Sequence, residues 1–194
     1  MSSSARSRRG QHNRFWRSWI AGCLIAAVWI GLGSAVAGCA HTRTDWNPAT
    51  RLLCSGRVCY RVGDLPAGWR MVHAEGAEIG FFNQSIAAVI QGNATCRDDA
   101  DPAPLGSLTA HLLIGYTDRQ TRSTERVAVD GREALHSVID ARLDGVPVVL
   151  DLYVLKRNGC VFDLSLAAPP DRYDAGGEDF QRFVAGFSDA RRSL

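Results

Sequence analysis

Few side chains in this chain are of types that do chemistry unaided. His73, His111 and His136 are well separated, and Asp140, Asp151 and Asp163 fall on three successive segments that read as neighbouring strands. Carboxylates sharing one face of a sheet repel one another and raise a pKa, which is how an acid comes to sit beside a base. The strand registers deduced below do not bring all three aspartates together. His111 neighbours Leu112 on a helical stretch, and His136 points away from the face that carries Leu135. Each histidine therefore reads as a solvated or locally hydrogen-bonded group, and no catalytic residue is assigned. A nucleophile elbow of the form G-x-S-x-G is missing, and Gly176-Gly177-Glu178-Asp179-Phe180 lacks the lysine of a phosphate loop. The expectation is a protein that is not an enzyme and carries no cofactor.

Cysteine is the other reactive type. Cys54 and Cys59 bracket four residues, Cys96 closes an apolar strand and Cys160 opens another. Four thiols allow three pairings, and in an oxidising compartment an even count suggests disulfides. The spacing favours Cys54 with Cys59 as a local loop and Cys96 with Cys160 as a long-range staple. Zinc would want thiolates at a compact paired spacing, which is lacking, so no metal site is expected.

Cys39 stands apart, at the point where an apolar stretch gives way to a polar one. Arg6, Arg8, Arg9, Arg14 and Arg17 precede an uncharged run from Ser18 to Cys39, the layout of a secretory signal. A retained membrane-spanning helix is the alternative, since about twenty apolar residues cross a bilayer. The run turns small toward its end, as a peptidase gripping extended backbone requires. Val36-Ala37-Gly38-Cys39 resembles the bacterial lipobox, with valine where leucine is usual. That resemblance implies cleavage before Cys39 and lipidation of its thiol. Arg8-Arg9 raises twin-arginine export, but Gly10 and Gln11 do not continue that signal, so the general secretory route is preferred.

Removing residues 1–38 reverses the charge: seventeen basic residues then face twenty acidic ones, a net −3 in place of +2. A weakly acidic chain has no electrostatic footprint for nucleic acid, so none is expected as a partner. Residues 39–53 contain Asn47-Pro48 and no apolar period, and read as the lipidated terminus and a flexible tether. Residues 54–194 read as one globular domain, held at a membrane by its acyl chains. Ala40 lacks the aspartate that retains enterobacterial lipoproteins in the inner membrane, which points to the periplasmic face of the outer membrane.

The elements that must position these residues are clearest in the carboxy-terminal half. Asp130-Gly131, Asp144-Gly145 and Asn158-Gly159 recur every 14 residues, and each pair tolerates positive φ, the requirement of a tight hairpin turn. Between them, alternation predicts strands over 133–143 and 146–155. A two-residue turn at Asp144-Gly145 sets Leu143 opposite Val146, Ala141 opposite Val148 and Ile139 opposite Leu150, so that the apolar faces coincide. At Asn158-Gly159 one extra residue is needed to pair Val154 with Phe162, so a bulge is predicted there. Val149, Tyr153 and Leu155 on the other face warn that helices cover both. Phe180, Phe183, Val184 and Phe187 recur at helical spacing and predict a terminal helix, with Glu178 and Asp179 at its positive end.

Upstream, residues 58–72 suggest a strand, a Pro-Gly turn and a second strand. Residues 80–96 add one or two more, and Asp101-Pro102 introduces a helix with Leu105, Leu108, Leu112 and Tyr116 on one side. The expected class is α+β: one antiparallel sheet with a three-strand carboxy-terminal meander, covered by helices.

This order resembles the PsbP-like fold. The likeness rests on Leu65-Pro66-Ala67-Gly68-Trp69 entering a first hairpin, Asp130 to Leu135 opening the meander and Phe183-Val184-Ala185-Gly186-Phe187 ending the last helix. It spans roughly residues 58–190. The resemblance implies a binding or assembly module on a larger complex and transfers no site residue, since fold alone fixes no partner. The functional expectation is a lipid-anchored envelope protein that binds a protein partner. The alternative is an accessory or small apolar ligand-binding subunit of an envelope transporter, with a hydrolase of unfamiliar type behind it.

Overall fold

The structure, a computed structural model, describes residues 44–56, 58–73, 77–97 and 101–190. Cys39, the lipobox-like residues that end in it and the apolar run before them lie outside the described residues. No helix among the described residues is long and apolar enough to cross a membrane.

The elements, in order, are β1 (Thr44–Asn47), β2 (Leu52–Ser55), β3 (Val58–Arg61), β4 (Trp69–Val72), β5 (Ile79–Asn83), β6 (Ala88–Cys96), α1 (Leu105–Leu112), β7 (Tyr116–Val129), β8 (Arg132–Leu143), β9 (Val146–Arg157), β10 (Cys160–Ala168), α2 (Tyr173–Ala185) and β11 (Ser188–Asp189). They form a small antiparallel sheet, β1-β2-β3-β11, and a large one, β4-β5-β6-β10-β9-β8-β7. The expectation of an α+β domain with a single helix-covered sheet is thus corrected: the described residues are mostly β, in two sheets, with two short helices.

Three segments account for the difference. β3 and β4 do not form the hairpin expected around Leu65–Trp69; β3 pairs with β2, and β4 pairs with β5. Residues 44–47, assigned by composition to the tether, form β1 against β2. The 14-residue β7 is exposed along nearly its whole length, so it carries no apolar period from which to read it.

The turns at Asp130-Gly131, Asp144-Gly145 and Asn158-Gly159 have positive φ at both residues, as two-residue hairpin turns demand. Leu143 pairs with Val146, Ala141 with Val148 and Ile139 with Leu150. The predicted bulge at Asn158-Gly159 is not there: the turn is tight, and Val154 pairs with Asp163 while Leu155 pairs with Phe162. The reason is that β9 is buried on both faces from Val149 to Leu155, so the sheet has no single core face to impose a register. On one face Leu155, Phe162, Leu164 and Leu166 pack with Phe180 and Phe183 of α2. On the other, Ile139, Ala141, Leu150 and Leu152 pack under Leu112 and Leu113.

α2 begins at Tyr173, earlier than its apolar stripe suggests, so Asp174 and not Glu178 occupies the first turn. Gly176 lets that turn lie close on β10, where a Cβ would already touch Leu166 at 3.4 Å. Disulfides join Cys54 to Cys59 and Cys96 to Cys160, each across a paired position of neighbouring strands.

Candidate functional site

On the α2 side of the large sheet, β7, β8 and β9 bring together a run of polar side chains. Glu125 pairs with His136 across β7 and β8, and His136 pairs with Tyr153 across β8 and β9, so all three project from the same face. Asp151 is two residues before Tyr153 and therefore shares that face. Its side chain is 1% exposed. A carboxylate buried so fully needs donors on both oxygens, and it has them. His136 Nε2 lies 2.7 Å from Oδ1, and the Tyr173 hydroxyl, from the first turn of α2, donates to Oδ2 at 2.9 Å.

The other nitrogen of His136, Nδ1, lies 3.1 Å from Glu125 Oε1. The ring stacks on Tyr153 with centroids 4.1 Å apart, and the Tyr153 hydroxyl donates to Gln181 Oε1 of α2 at 3.0 Å. A hydrogen-bonded chain thus runs Glu125, His136, Asp151, Tyr173, from the edge strand through two inner strands to the helix. Burial works against charge on His136, but hydrogen bonds and charge from Asp151, and then from Glu125, outweigh it and hold its pKa above the ordinary histidine value. Burial, and then the Asp151 charge, push the Tyr173 phenol well up.

One end of the cluster is built by a backbone irregularity. Between Thr121 and Ser123 the β7 register slips by a residue relative to β8. Arg122, the extra residue, makes a two-pronged pair with Asp140, with Nε to Oδ2 and Nη2 to Oδ1 both at 2.7 Å. Its guanidinium also lies 5.5 Å from the centroid of the Tyr173 ring. Bulges commonly re-aim a side chain in this way. The hydrogen bond from Arg122 holds the Asp140 carboxyl below the usual range.

The three aspartates singled out in the sequence are therefore divided. Asp140 and Asp151 share the α2 face, the first paired with Arg122 and the second with His136, while Asp163 pairs with Val154 and looks the other way. Asp163 accepts a hydrogen bond from Asn93 at 3.2 Å, and burial raises its pKa. His136 belongs to the cluster; His73 and His111 are exposed elsewhere. Glu125 and Arg122 escaped sequence reasoning because each depends on a register that the exposed β7 does not announce, and Tyr173 because α2 starts before its apolar stripe.

A second polar knot joins the two sheets. The Glu78 carboxylate accepts from the Ala94 N–H of β6 at 3.0 Å, and the Glu78 backbone N–H donates to Asn93 Oδ1 at 2.8 Å. Burial raises the Glu78 pKa against the help of Ser55 and Ala94. The Tyr60 hydroxyl, in the same neighbourhood, is fully buried without a hydrogen-bond partner of good geometry.

Among the described residues no three or more His, Cys, Asp or Glu side chains are grouped so as to hold a metal ion. The chemistry open to the His136 cluster is limited by its own closure. Both ring nitrogens face carboxylates, both Asp151 oxygens are taken, and no serine or cysteine stands beside the ring in this chain of bonds.

No family model matches the chain, and no curated protein matches it. Solved structures do. LpqN of Mycobacterium tuberculosis, described as involved in cell envelope biogenesis, superposes with a TM-score of 0.54 at 11% identity, covering 69% of this chain and 86% of that one. The solution structure of PsbP from the cyanobacterium Synechocystis gives 0.49 at 12% identity, over 78% of this chain and 95% of that one. A Pseudomonas aeruginosa protein of unknown function gives 0.44 at 14%, over 75% and 94%. At such identities the LpqN match shows a shared fold.

Proposed function

We propose that this chain is a lipid-anchored accessory module of a bacterial cell envelope, which binds a protein component of a membrane-associated complex and does no chemistry of its own. The observation that carries the reading is the closure of the histidine cluster around His136. His136 and Asp151 spend their hydrogen-bonding capacity on each other, on Glu125 and on Tyr173, an arrangement that fastens α2 to the sheet. A general base needs a free lone pair aimed at a substrate proton.

The address rests on the signal-like run and the lipobox-like residues ending at Cys39, and two disulfides fit an oxidising compartment. The fold shared with LpqN is consistent with an envelope protein. A docking role draws support from apolar side chains left in water at neighbouring turns. Ile114 is 75% exposed and Val146 65%, with Leu143 beside them. Contiguous exposed apolar groups are what a protein contact covers.

An apolar ligand carrier draws less support, because Phe180 and Phe183 are fully buried and fill the space between sheet and helix where a ligand would lie. The test is the intact mass of protein extracted from bacterial membranes, compared with Cys39→Ala, followed by photo-crosslinking from position 146 in the membrane. An acylated chain starting at Cys39 and a discrete crosslinked partner, lost with Ile114→Glu, support the reading. An unmodified full-length chain sinks the tether, and turnover abolished by His136→Gln sinks the non-catalytic assignment.

A further inference from the structure

We propose that His136 is a proton-operated latch on the edge strand β7: with both ring nitrogens protonated it ties Glu125 of β7 to Asp151 in the core, and loss of one proton releases Glu125.

With both carboxyls ionised, the geometry is fully satisfied only by a ring carrying two protons. Nδ1 lies 3.1 Å from Glu125 Oε1 and Nε2 lies 2.7 Å from Asp151 Oδ1. A carboxylate only accepts, and a neutral imidazole has a single N–H, so a neutral ring must turn a lone pair toward one carboxylate. The choice between them is decided by burial. Asp151 is 1% exposed and would be left as a buried charge short of a donor, whereas the Glu125 side chain is 60% exposed and can take water instead. The proton on Nε2 therefore stays, and the one on Nδ1 leaves.

The charged and titratable groups around the ring come from every element packed there. β7 contributes Glu125 and, farther along, Arg122; β8 contributes Asp140, held by Arg122. β9 contributes Asp151 and Tyr153, and α2 contributes Tyr173, with Asp174 beside Arg122. The residues of β10 on this face, Leu164 and Leu166, are apolar. Arg122 is committed to Asp140, so it does not replace the lost proton. The consequence falls on a strand that, among the described residues, is paired on one side only, since β7 ends the large sheet. The protonated form presents that edge clamped near its middle, and the neutral form presents it with a free carboxylate.

The experiment is hydrogen exchange by mass spectrometry on the full chain in detergent micelles, with disulfides intact, from about pH 5.5 to about pH 9. Exchange at the histidine ring carbon gives the His136 midpoint, and amide exchange corrected for its intrinsic pH dependence gives the protection of residues 123–127. The expected result is a midpoint above the ordinary histidine value and a fall in β7 protection at that same midpoint. The fall is about tenfold for each unit by which the latch raises the midpoint. Glu125→Gln, whose amide serves either ring state, should lower the midpoint and abolish the step. His136→Gln, which offers Asp151 one donor and never charges, should show the weaker protection at every pH. A flat protection profile in the wild type, an unraised midpoint, or a step that survives in Glu125→Gln overturns the proposal.

Discussion

The Tyr173 hydroxyl donates to Asp151 Oδ2 at 2.9 Å and is the one bond through which the first turn of α2 reaches the carboxylate buried in β9. Tyr173→Phe leaves the ring in place and removes one of that carboxylate's two donors. A hydrogen bond to a charged acceptor contributes about 1.5–3 kcal/mol, so the variant should lose about that much stability in urea denaturation. Tyr153→Phe removes a bond to the neutral, exposed Gln181 and should cost about 0.5–1.5 kcal/mol. Equal losses in the two variants would show that Asp151 does not depend on Tyr173.

Backbone meets backbone where the loop after β3 crosses the end of α2. A Cβ on Gly63 would stand 1.8 Å from the carbonyl oxygen of Arg182, and one on Gly186 would stand 2.3 Å from the Gly63 Cα. The Gly63 N–H donates to the Phe183 carbonyl at 2.8 Å, so the two segments cannot part without breaking that bond. Gly63→Ala and Gly186→Ala should each cost more than about 3 kcal/mol, as large core steric errors do. Thermal melts decide the point, and a shift of only a degree or two would refute the close approach.

The two disulfides should differ in worth. Cys96 and Cys160 are 64 residues apart and Cys54 and Cys59 only 5. Loop-closure entropy then assigns about 4 kcal/mol to the first and about 2 kcal/mol to the second. Cys96→Ser with Cys160→Ser should lower the melting temperature clearly more than Cys54→Ser with Cys59→Ser. The reverse order would mean that the short loop, which bends β2 into β3, stabilises the small sheet by fixing its geometry.

How much of this was open to sequence reasoning varies along the chain for physical reasons. The β8–β9 register was legible because Asp144 and Gly145 both tolerate positive φ and the flanking apolar faces agree on only one pairing. One turn later the same method fails. Leu150, Leu152 and Val154 form one apolar set and Val149, Tyr153 and Leu155 another, so either register of β10 buries hydrophobic surface, and only the turn itself decides. The small sheet was illegible for a different reason. Thr44–Asn47 and Ser188–Asp189 are too short and too polar to show a period, and they become strands because β2 and β3 lie beside them. The candidate site follows the same division. His136 and Asp151 stood out by type, but their meeting with Glu125 and Tyr173 needs the pairing of an exposed edge strand and the early start of α2.

Asp163 offers the sharpest check on the other face of the sheet. Burial raises its pKa, and the hydrogen bond from Asn93 only partly offsets that. A group whose pKa is higher folded than unfolded favours the fold most when protonated. Its contribution is fully present below the unfolded value of about 3.9 and is lost as pH rises through the folded value. At neutral pH Asp163 is therefore a net cost, and Glu78, shifted in the same direction by burial, adds to it. Asp163→Asn keeps an oxygen to accept from Asn93 and removes the charge. The variant should melt above the wild type at pH 7, and the difference should shrink to nothing as the solution is acidified toward the unfolded value. The wild-type-minus-variant difference cancels the pH dependence of unrelated groups such as Asp140, whose pKa is shifted the other way. A variant less stable than the wild type at pH 7 would mean that the Asp163 charge is satisfied by its surroundings, and the burial argument for this face would fail.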